Sequence, residues 1–303
     1  MNICKEEHQS ERYTAITIGK FDGVHIGHGE LLTELKKRKE EGMSTLVFTF
    51  SKSPQNYLNQ TEEMSIFSKQ EKLEYFHQIS WVDEYYEVQV TKEFLGLSPE
   101  EFVVKYLLRK FKAKHIIVGE DFRFGCNKSG DVSLLKKMGE KYNFSVTSIK
   151  KIGRQEMEVS STEIRRVLEQ GDMERANEIL GHPFYLMGNV QHGRRLATDL
   201  GFPTANVEYP KDKIQIPFGV YATRIEIEEK SFYGITNVGT KPTVTSEKKV
   251  ISESYLFDFN EEIYEKRIKI YFYKFLRPEM KFETIEQLKL QIREDVKNAE
   301  DMV

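Results

Sequence analysis

At 303 residues the chain is longer than single hydrophobic cores usually grow, so two domains are expected. Its 39% hydrophobic and 31% charged residues include no apolar run near the ~18 residues of a membrane span, which predicts a cytoplasmic globular protein without a membrane partner. A formal net charge of -3 offers no basic field for nucleic acid. The two cysteines, Cys4 and Cys126, are too few for a disulfide framework and wrongly spaced for a zinc site. The polar segment Met1 to Arg12 lacks the basic start and apolar middle of a secretory signal.

From Tyr13 to Phe144, short apolar runs alternate with amphipathic stretches, the order of a parallel sheet covered by helices. Strands are expected at Ala15 to Gly19, Ser44 to Phe50, His115 to Gly119 and Ser145 to Ile152. Leu31, Leu32 and Leu35 recur at helical spacing after the first strand. A helix over Pro99 to Phe111 is signalled by Ser98 as N-cap, Pro99 at the first position and Glu101 completing a capping box. Two further helices, Glu163 to Gln170 and Met173 to Leu180, end at Gly181-His182-Pro183, which places domains at 1–181 and 182–303. The second half changes texture. Gly219 to Glu228, Ser231 to Val238, Ser252 to Phe259 and Arg267 to Phe275 read as strands of an antiparallel barrel or sandwich, followed by a helix over Ile285 to Val296.

Three stretches of the first half carry chemistry. Gly19-Lys20-Phe21-Asp22-Gly23-Val24-His25-Ile26-Gly27-His28 sets two imidazoles between a strand and a helix N-terminus. Glycines admit phosphate oxygens to the backbone there, helix N–H groups attract anions, and imidazoles donate to an α-phosphate under attack. A histidine pair in isolation is more often incidental. Val159-Ser160-Ser161-Thr162-Glu163-Ile164-Arg165 offers hydroxyls and a guanidinium at a helix start, and by itself reads as a capping box of Ser160 with Glu163. Between them, Val118 to Gly125 presents Asp121 beside Phe122 and Phe124, an exposed Phe-x-Phe suited to stacking on a flat ring, or a plain surface turn.

In the second half, Gly188 to Gly193 precedes Leu200-Gly201-Phe202-Pro203-Thr204-Ala205-Asn206, and Ser252-Glu253-Ser254-Tyr255-Leu256 follows. Composition alone makes the first a turn and Glu253 a solvent-facing strand residue.

Taken together, these strings resemble the prokaryotic bifunctional riboflavin kinase and FAD synthetase family, in the expected order from about Thr14 to about Asp295. The His25 to His28 run is similar to the H-x-G-H motif of nucleotidyltransferases, and Ser161-Thr162-x-Ile164-Arg165 to their second signature. The resemblance implies a Rossmann-like α/β nucleotidyltransferase domain followed by an antiparallel riboflavin-kinase barrel with a C-terminal helix. It implies ATP sites at Gly19, Phe21, Asp22, Gly27, Ser160, Ser161, Thr162, Arg165, Gly193, Thr204 and Asn206, with His25 and His28 catalytic for AMP transfer. It further implies flavin contacts at Asp121, Phe122, Phe124 and Gly125, Mg²⁺ at Thr204 and Asn206, and Glu253 as base. Riboflavin, FMN, FAD and ATP are the implied ligands, and oligomeric assembly is left open. Three places depart from the family: Lys52-Ser53 where Pro and His are usual, Ala197-Thr198 where Gly-Arg is usual, and Tyr264-Glu265 where Tyr-Gly is usual. The departures keep two alternatives open, the same fold with one activity or a non-catalytic flavin- or nucleotide-binding regulator.

Overall fold

A computed structural model describes residues 1–60, 64–150, 153–154, 157–191, 204–241, 249–259 and 261–300. It divides into two compact units, Met1–Glu63 with Lys72–Ser160 and Met64–Glu71 with Ser161–Val303. Among the described residues no helix is long and apolar enough to cross a membrane.

The first unit is built on β1 (Asn2–Ile3), β2 (Thr14–Ile18), β3 (Ser44–Phe50), β4 (Glu84–Val88), β5 (Ala113–Gly119) and, after a small hairpin of β6 (Arg123–Phe124) and β7 (Gly130–Asp131), β8 (Ser145–Ile149). The six strands of its sheet pair in parallel in the order β1-β4-β3-β2-β5-β8. Helices cover both faces of such a sheet, so β2 and β3 read as nearly continuous buried runs rather than alternating ones. The connections include α1 (Ile26–Glu40), α2 (Pro54–Asn59), α3 (Lys69–His77), α4 (Lys92–Leu95), α5 (Pro99–Phe102) and α6 (Val132–Tyr142), with a second hairpin, β9 (Gly153–Arg154) and β10 (Met157–Glu158), near the end. The chain leaves β2 toward β3 on one side, while β5 flanks β2 on the other. Such a reversal marks the carboxyl ends of β2 and β5 as the place where open α/β sheets bind ligands.

The capping box forms as expected: Ser98 Oγ accepts the Glu101 N–H at 3.2 Å and Glu101 Oε2 accepts the Ser98 N–H at 2.7 Å. The single helix expected over Pro99 to Phe111 does not continue as one α-helix. One α-helical turn passes at Val103–Lys110 into a wider π-helical stretch, closed by the Phe111 N–H to the Tyr106 carbonyl at 3.1 Å. Val103, Leu107 and Phe111, four apart, are all buried in the core.

The second unit contains α7 (Ser161–Glu169), α8 (Met173–Leu180), β11 (Phe184–Asn189), β12 (Thr204–Glu208), β13 (Gly219–Ile227), β14 (Lys230–Lys241), β15 (Lys249–Leu256), β16 (Arg267–Pro278) and α9 (Ile285–Glu300). Its strands form one curled antiparallel sheet, β11-β16-β13-β14-β15-β12. The curl brings its two edges together where the Gln191 N–H donates to the Asn206 carbonyl at 2.7 Å, so the expected barrel is partly closed. Ile292, Val296 and Ala299 of α9 pack on Val220, Ala222 and Ile235.

The helical pair α7 and α8, which the sequence groups with the first domain, lies in the second compact unit. The reason is visible in α8, which buries Met173, Ala176, Ile179 and Leu180. Its Asn177 donates to the Phe272 carbonyl at 2.8 Å and accepts the Phe184 N–H at 2.7 Å, tying helix to sheet. Residues 64–71 belong to this unit too. The Ser65 N–H donates to the Asp212 carbonyl at 3.0 Å, and the Ile214 N–H to the Ser65 carbonyl at 2.7 Å. The fully buried Lys213 ammonium meets Glu71 at 2.6 Å.

Candidate active sites

In the first unit, the loop from Gly19 to His25 leaves the carboxyl end of β2 and His25 becomes the N-cap of α1, with no side-chain cap of its own. The loop is held by backbone conformations that only tight surroundings sustain: Phe21 and Val24 take φ values of 48° and 41°. Phe21 is wholly buried, packs edge-on to Phe76, and its ring lies so near Gly19 that a Cβ there would sit 3.1 Å from it. Asp22 is buried with its carboxylate 3.9 Å from the Lys20 ammonium.

Gly27 is similarly close-packed, since a Cβ would stand 3.1 Å from the His25 ring. The His25 and His28 rings stack at 3.9 Å, and the Phe21 ring lies 5.1 Å from His28, tilted at 46°. Burial, then the neighbouring His25 and Lys20, hold the His28 imidazole well below its usual range, so it is neutral at physiological pH. Its buried Nδ1 has no hydrogen-bond partner among the described residues. A neutral imidazole at an uncapped helix N-terminus is a hydrogen-bonding group for a phosphate oxygen.

Ser160 ends the first unit, whereas Ser161, Thr162 and Arg165 lie on α7 in the second. Thr162 is exposed, and Arg165 is buried with its Nε donating to the Met64 carbonyl at 2.9 Å. Glu163 pairs with Arg166 at 2.6 Å.

The loop after β5 emerges beside the histidine loop. Its Asp121 is exposed, but the expected exposed Phe-x-Phe is not. Phe124 is a core residue, 6% exposed and in contact with Phe102, and half-buried Phe122 stacks on it at 5.5 Å and 14°. The alternation of β6 turns Phe124 inward, where its apolar area is worth most. Gly125, at φ 73°, is pinned against Pro99, and Asp131 caps α6 by accepting the Leu134 N–H at 2.8 Å. Lys52 is exposed, and Ser53 with Pro54 starts α2.

The second site is a row across the sheet. Pairing sets Asn206 of β12 opposite Glu253 of β15, Glu253 opposite Asn237 of β14, Asn237 opposite Val220 of β13, and Val220 opposite Arg277 of β16. Paired residues share a face, so these side chains from five strands line up. Thr204, two residues before Asn206, lies on the same face and starts the adjacent row with Tyr255 and Ile235. Thr204, Asn237, Glu253 and Arg277 border a cavity of about 280 Å³ whose apolar wall includes Ile235, Tyr255, Phe282 and Ile292. Asn206 Nδ2 donates to the Thr204 carbonyl at 3.3 Å, which orients its amide.

Sequence reasoning did not single out Arg277, Asp295 or Asn237 as site residues. Asp295 of α9, 2% exposed in its side chain, accepts from Arg277 Nη2 at 2.7 Å and Nε at 2.8 Å, a paired geometry that fixes the guanidinium at the cavity wall. Only the cross-strand register links Arg277 to Glu253. Glu265 takes φ 64°, the left-handed conformation that glycine favours. Gly193, Ala197, Thr198 and Gly201 to Pro203 lie outside the described residues.

Two family models match the chain: FAD synthetase over residues 7–163 and riboflavin kinase over residues 180–303. A bifunctional riboflavin kinase/FMN adenylyltransferase of Buchnera aphidicola from Schizaphis graminum is 38% identical, covering 93% of this chain and 92% of the relative. The chain belongs to the bifunctional riboflavin kinase/FMN adenylyltransferase family. Members of that family from Bacillus subtilis and Escherichia coli are 34% and 33% identical, over 98% and 94% of this chain and 94% and 91% of theirs. The architecture also matches a crystal structure titled a macrolide-efflux protein from Streptococcus pneumoniae, with a TM-score of 0.86, 27% identity, and 99% and 98% of the two chains covered. Both enzymatic domains of the family are therefore present, in the order that the two sites occur along the chain.

Proposed function

We propose that Thr204, Asn206 and Glu253, on one face of the antiparallel sheet, phosphorylate riboflavin to FMN, and that His25 and His28, with Ser160, Ser161, Thr162 and Arg165, serve adenylylation of FMN to FAD. The first reaction is assigned to residues 182–303 and the second to 1–181. The observation that carries this reading is the register that puts Glu253 directly between Asn206 and Asn237 at the edge of the cavity.

In the first reaction, Glu253 accepts the proton of the ribityl 5′-hydroxyl as that oxygen attacks the γ-phosphorus of ATP, and ADP leaves. The apolar wall of Ile235, Tyr255 and Phe282 suits the flat flavin, and Arg277, held by Asp295, keeps a cation beside the transferring charge. The residues present also fit a Mg²⁺ ion, because Thr204 and Asn206 offer hydroxyl and amide oxygens from one face of one strand, the hard donors that ion takes. When bound, Mg²⁺ neutralises phosphate charge.

In the second reaction, an FMN phosphate oxygen attacks the α-phosphorus of a second ATP and pyrophosphate leaves. His28 and His25 donate hydrogen bonds to α-phosphate oxygens, where charge rearranges, and no covalent intermediate forms. Asp121 and Phe122, at the carboxyl end of the neighbouring strand β5, form the flavin side with Gly125, while Phe124 supports Phe122 from below.

The test is a pair of variants assayed on riboflavin and on FMN separately, each with ATP and Mg²⁺. Glu253→Gln is expected to lose FMN formation by about 10²- to 10⁴-fold and keep FAD formation from FMN; His28→Gln should do the reverse. If either variant depressed both reactions equally, the assignment of one reaction to each site would fail.

A further inference from the structure

A third cluster lies away from both sites, at the edge of the parallel sheet. Parallel pairing sets Asn2 beside Glu84 and Ile3 beside Tyr85, and the Cys4 N–H continues it by donating to the Tyr85 carbonyl at 2.8 Å. Cys4 Sγ thereby comes 3.6 Å from Glu84 Oε2. A turn closed by the His8 N–H to the Lys5 carbonyl at 3.1 Å carries His8 Nε2 to 3.0 Å from the same oxygen. The sulfur, the imidazole nitrogen and the carboxylate oxygen all lie within 4.8 Å of one another, and Cys4 and Glu84 are buried.

A tetrahedral zinc site, with metal–sulfur bonds of about 2.3 Å and metal–nitrogen or –oxygen bonds of about 2.0 Å, has ligand-to-ligand edges of about 3.3 to 3.5 Å. The observed 3.0 and 3.6 Å are within a few tenths of an ångström of those edges. We propose that Cys4, His8 and Glu84 form a binding site for a divalent ion of the zinc class, with three protein ligands and one position left for water. Thiolate, imidazole and carboxylate together are the donor set such an ion takes, whereas Mg²⁺ prefers oxygen alone.

The surroundings explain why a cation belongs there. Cys4 and Glu84 are buried side by side, so a cation between them would meet a sulfur and a carboxylate oxygen already removed from water. When a divalent ion binds, the sulfur–metal bond replaces the sulfur–hydrogen bond, and the proton leaves to solvent. Lys110 also faces the thiol, but its ammonium donates to the Lys5 and Glu6 carbonyls and so anchors the turn that carries His8. Ser10 Oγ donates to Glu84 Oε2 at 2.6 Å and orients the carboxylate as an outer-shell partner does. The ion's role is structural, fastening the first ten residues to β4.

The full-length protein, stripped with a chelator, should take up one equivalent of Co²⁺ with a sulfur-to-metal charge-transfer band in the near ultraviolet, and Zn²⁺ should abolish that band. Cys4→Ser should lose the band, and His8→Gln should weaken uptake by at least the order of tenfold that loss of an outer-shell partner costs. Zn²⁺ should raise the melting temperature of the wild type, that of His8→Gln less, and that of Cys4→Ser not at all, while both variants keep FAD formation from FMN and so report that they are folded. Wild-type protein without stoichiometric uptake or the band, or a Zn²⁺ shift of equal size in the variants, would overturn the proposal.

Discussion

At the scale of single residues, the His28 imidazole is enclosed by His25, Phe21 and the start of α1, and that enclosure sets its protonation. In the unfolded chain it titrates near the ordinary 6.5, but in the folded chain well below. Between those two values the unfolded state binds more protons, so the stabilisation is complete above the unfolded value and is lost as pH falls through it. His115, depressed mainly by its own burial, adds in the same direction. Lowering the pH from about 7.5 to about 5.5 should therefore lower the melting temperature of the wild type more than that of His28→Gln. Equal slopes for the two proteins would place the acid sensitivity elsewhere. Glu253 and Asp121 were legible as residues because their strings were; that Phe124 faces the core while Phe122 stays half-buried was not, since both are phenylalanines in one short run.

At the scale of elements, the loop after β5 shows how backbone geometry holds a candidate flavin contact. Gly125 takes φ 73°, and a Cβ at that position would stand 2.7 Å from Pro99, while the Cys126 N–H donates to the Leu97 carbonyl at 2.7 Å. The loop is thereby fastened to the N-terminus of α5. Gly125→Ala combines a left-handed backbone with a steric clash and should cost about 1–3 kcal/mol in denaturant unfolding. It should also raise KM for FMN in FAD formation while leaving KM for riboflavin unchanged. An unchanged KM for FMN would detach this loop from the flavin site. The capping box at Ser98 was readable because it needs only local residues, but the passage of the following helix into π-helical turns was not, because apolar residues four apart, as Val103, Leu107 and Phe111 are, suit an α-helix equally.

At the scale of the whole molecule, residues 64–71 and α8 show that chain order and compact units differ. Glu71 and Lys213 form an ion pair with 0% side-chain exposure at 2.6 Å. Glu71 also accepts the Met187 and Ser68 N–H groups at 3.0 and 2.8 Å, and Lys213 donates to the Ile66 carbonyl at 2.7 Å. Removing one partner leaves the other charge buried, so Lys213→Met and Glu71→Gln should each destabilise this unit by about 3–5 kcal/mol. The double variant should cost less than the two singles added together, measured by urea unfolding followed through loss of FMN formation. Strict additivity would mean that the pair is not coupled.

The sequence by itself determined the parallel α/β half, the antiparallel half, the family and the histidine loop, because period, turn residues and short motifs act over neighbouring positions. Thr204, Asn206 and Glu253 were recognisable in the same way. Their alignment on one face of the sheet, the recruitment of Arg277 by Asp295 and the burial of Lys213 against Glu71 were decided only by tertiary structure. Each of these depends on strand register or on contacts between distant segments, and no local pattern encodes which strand will lie beside which. Cys4, His8 and Glu84 are the extreme case: cysteine spacing argues against a zinc site, and only the pairing of β1 with β4 brings a carboxylate eighty residues away to the thiol and the imidazole.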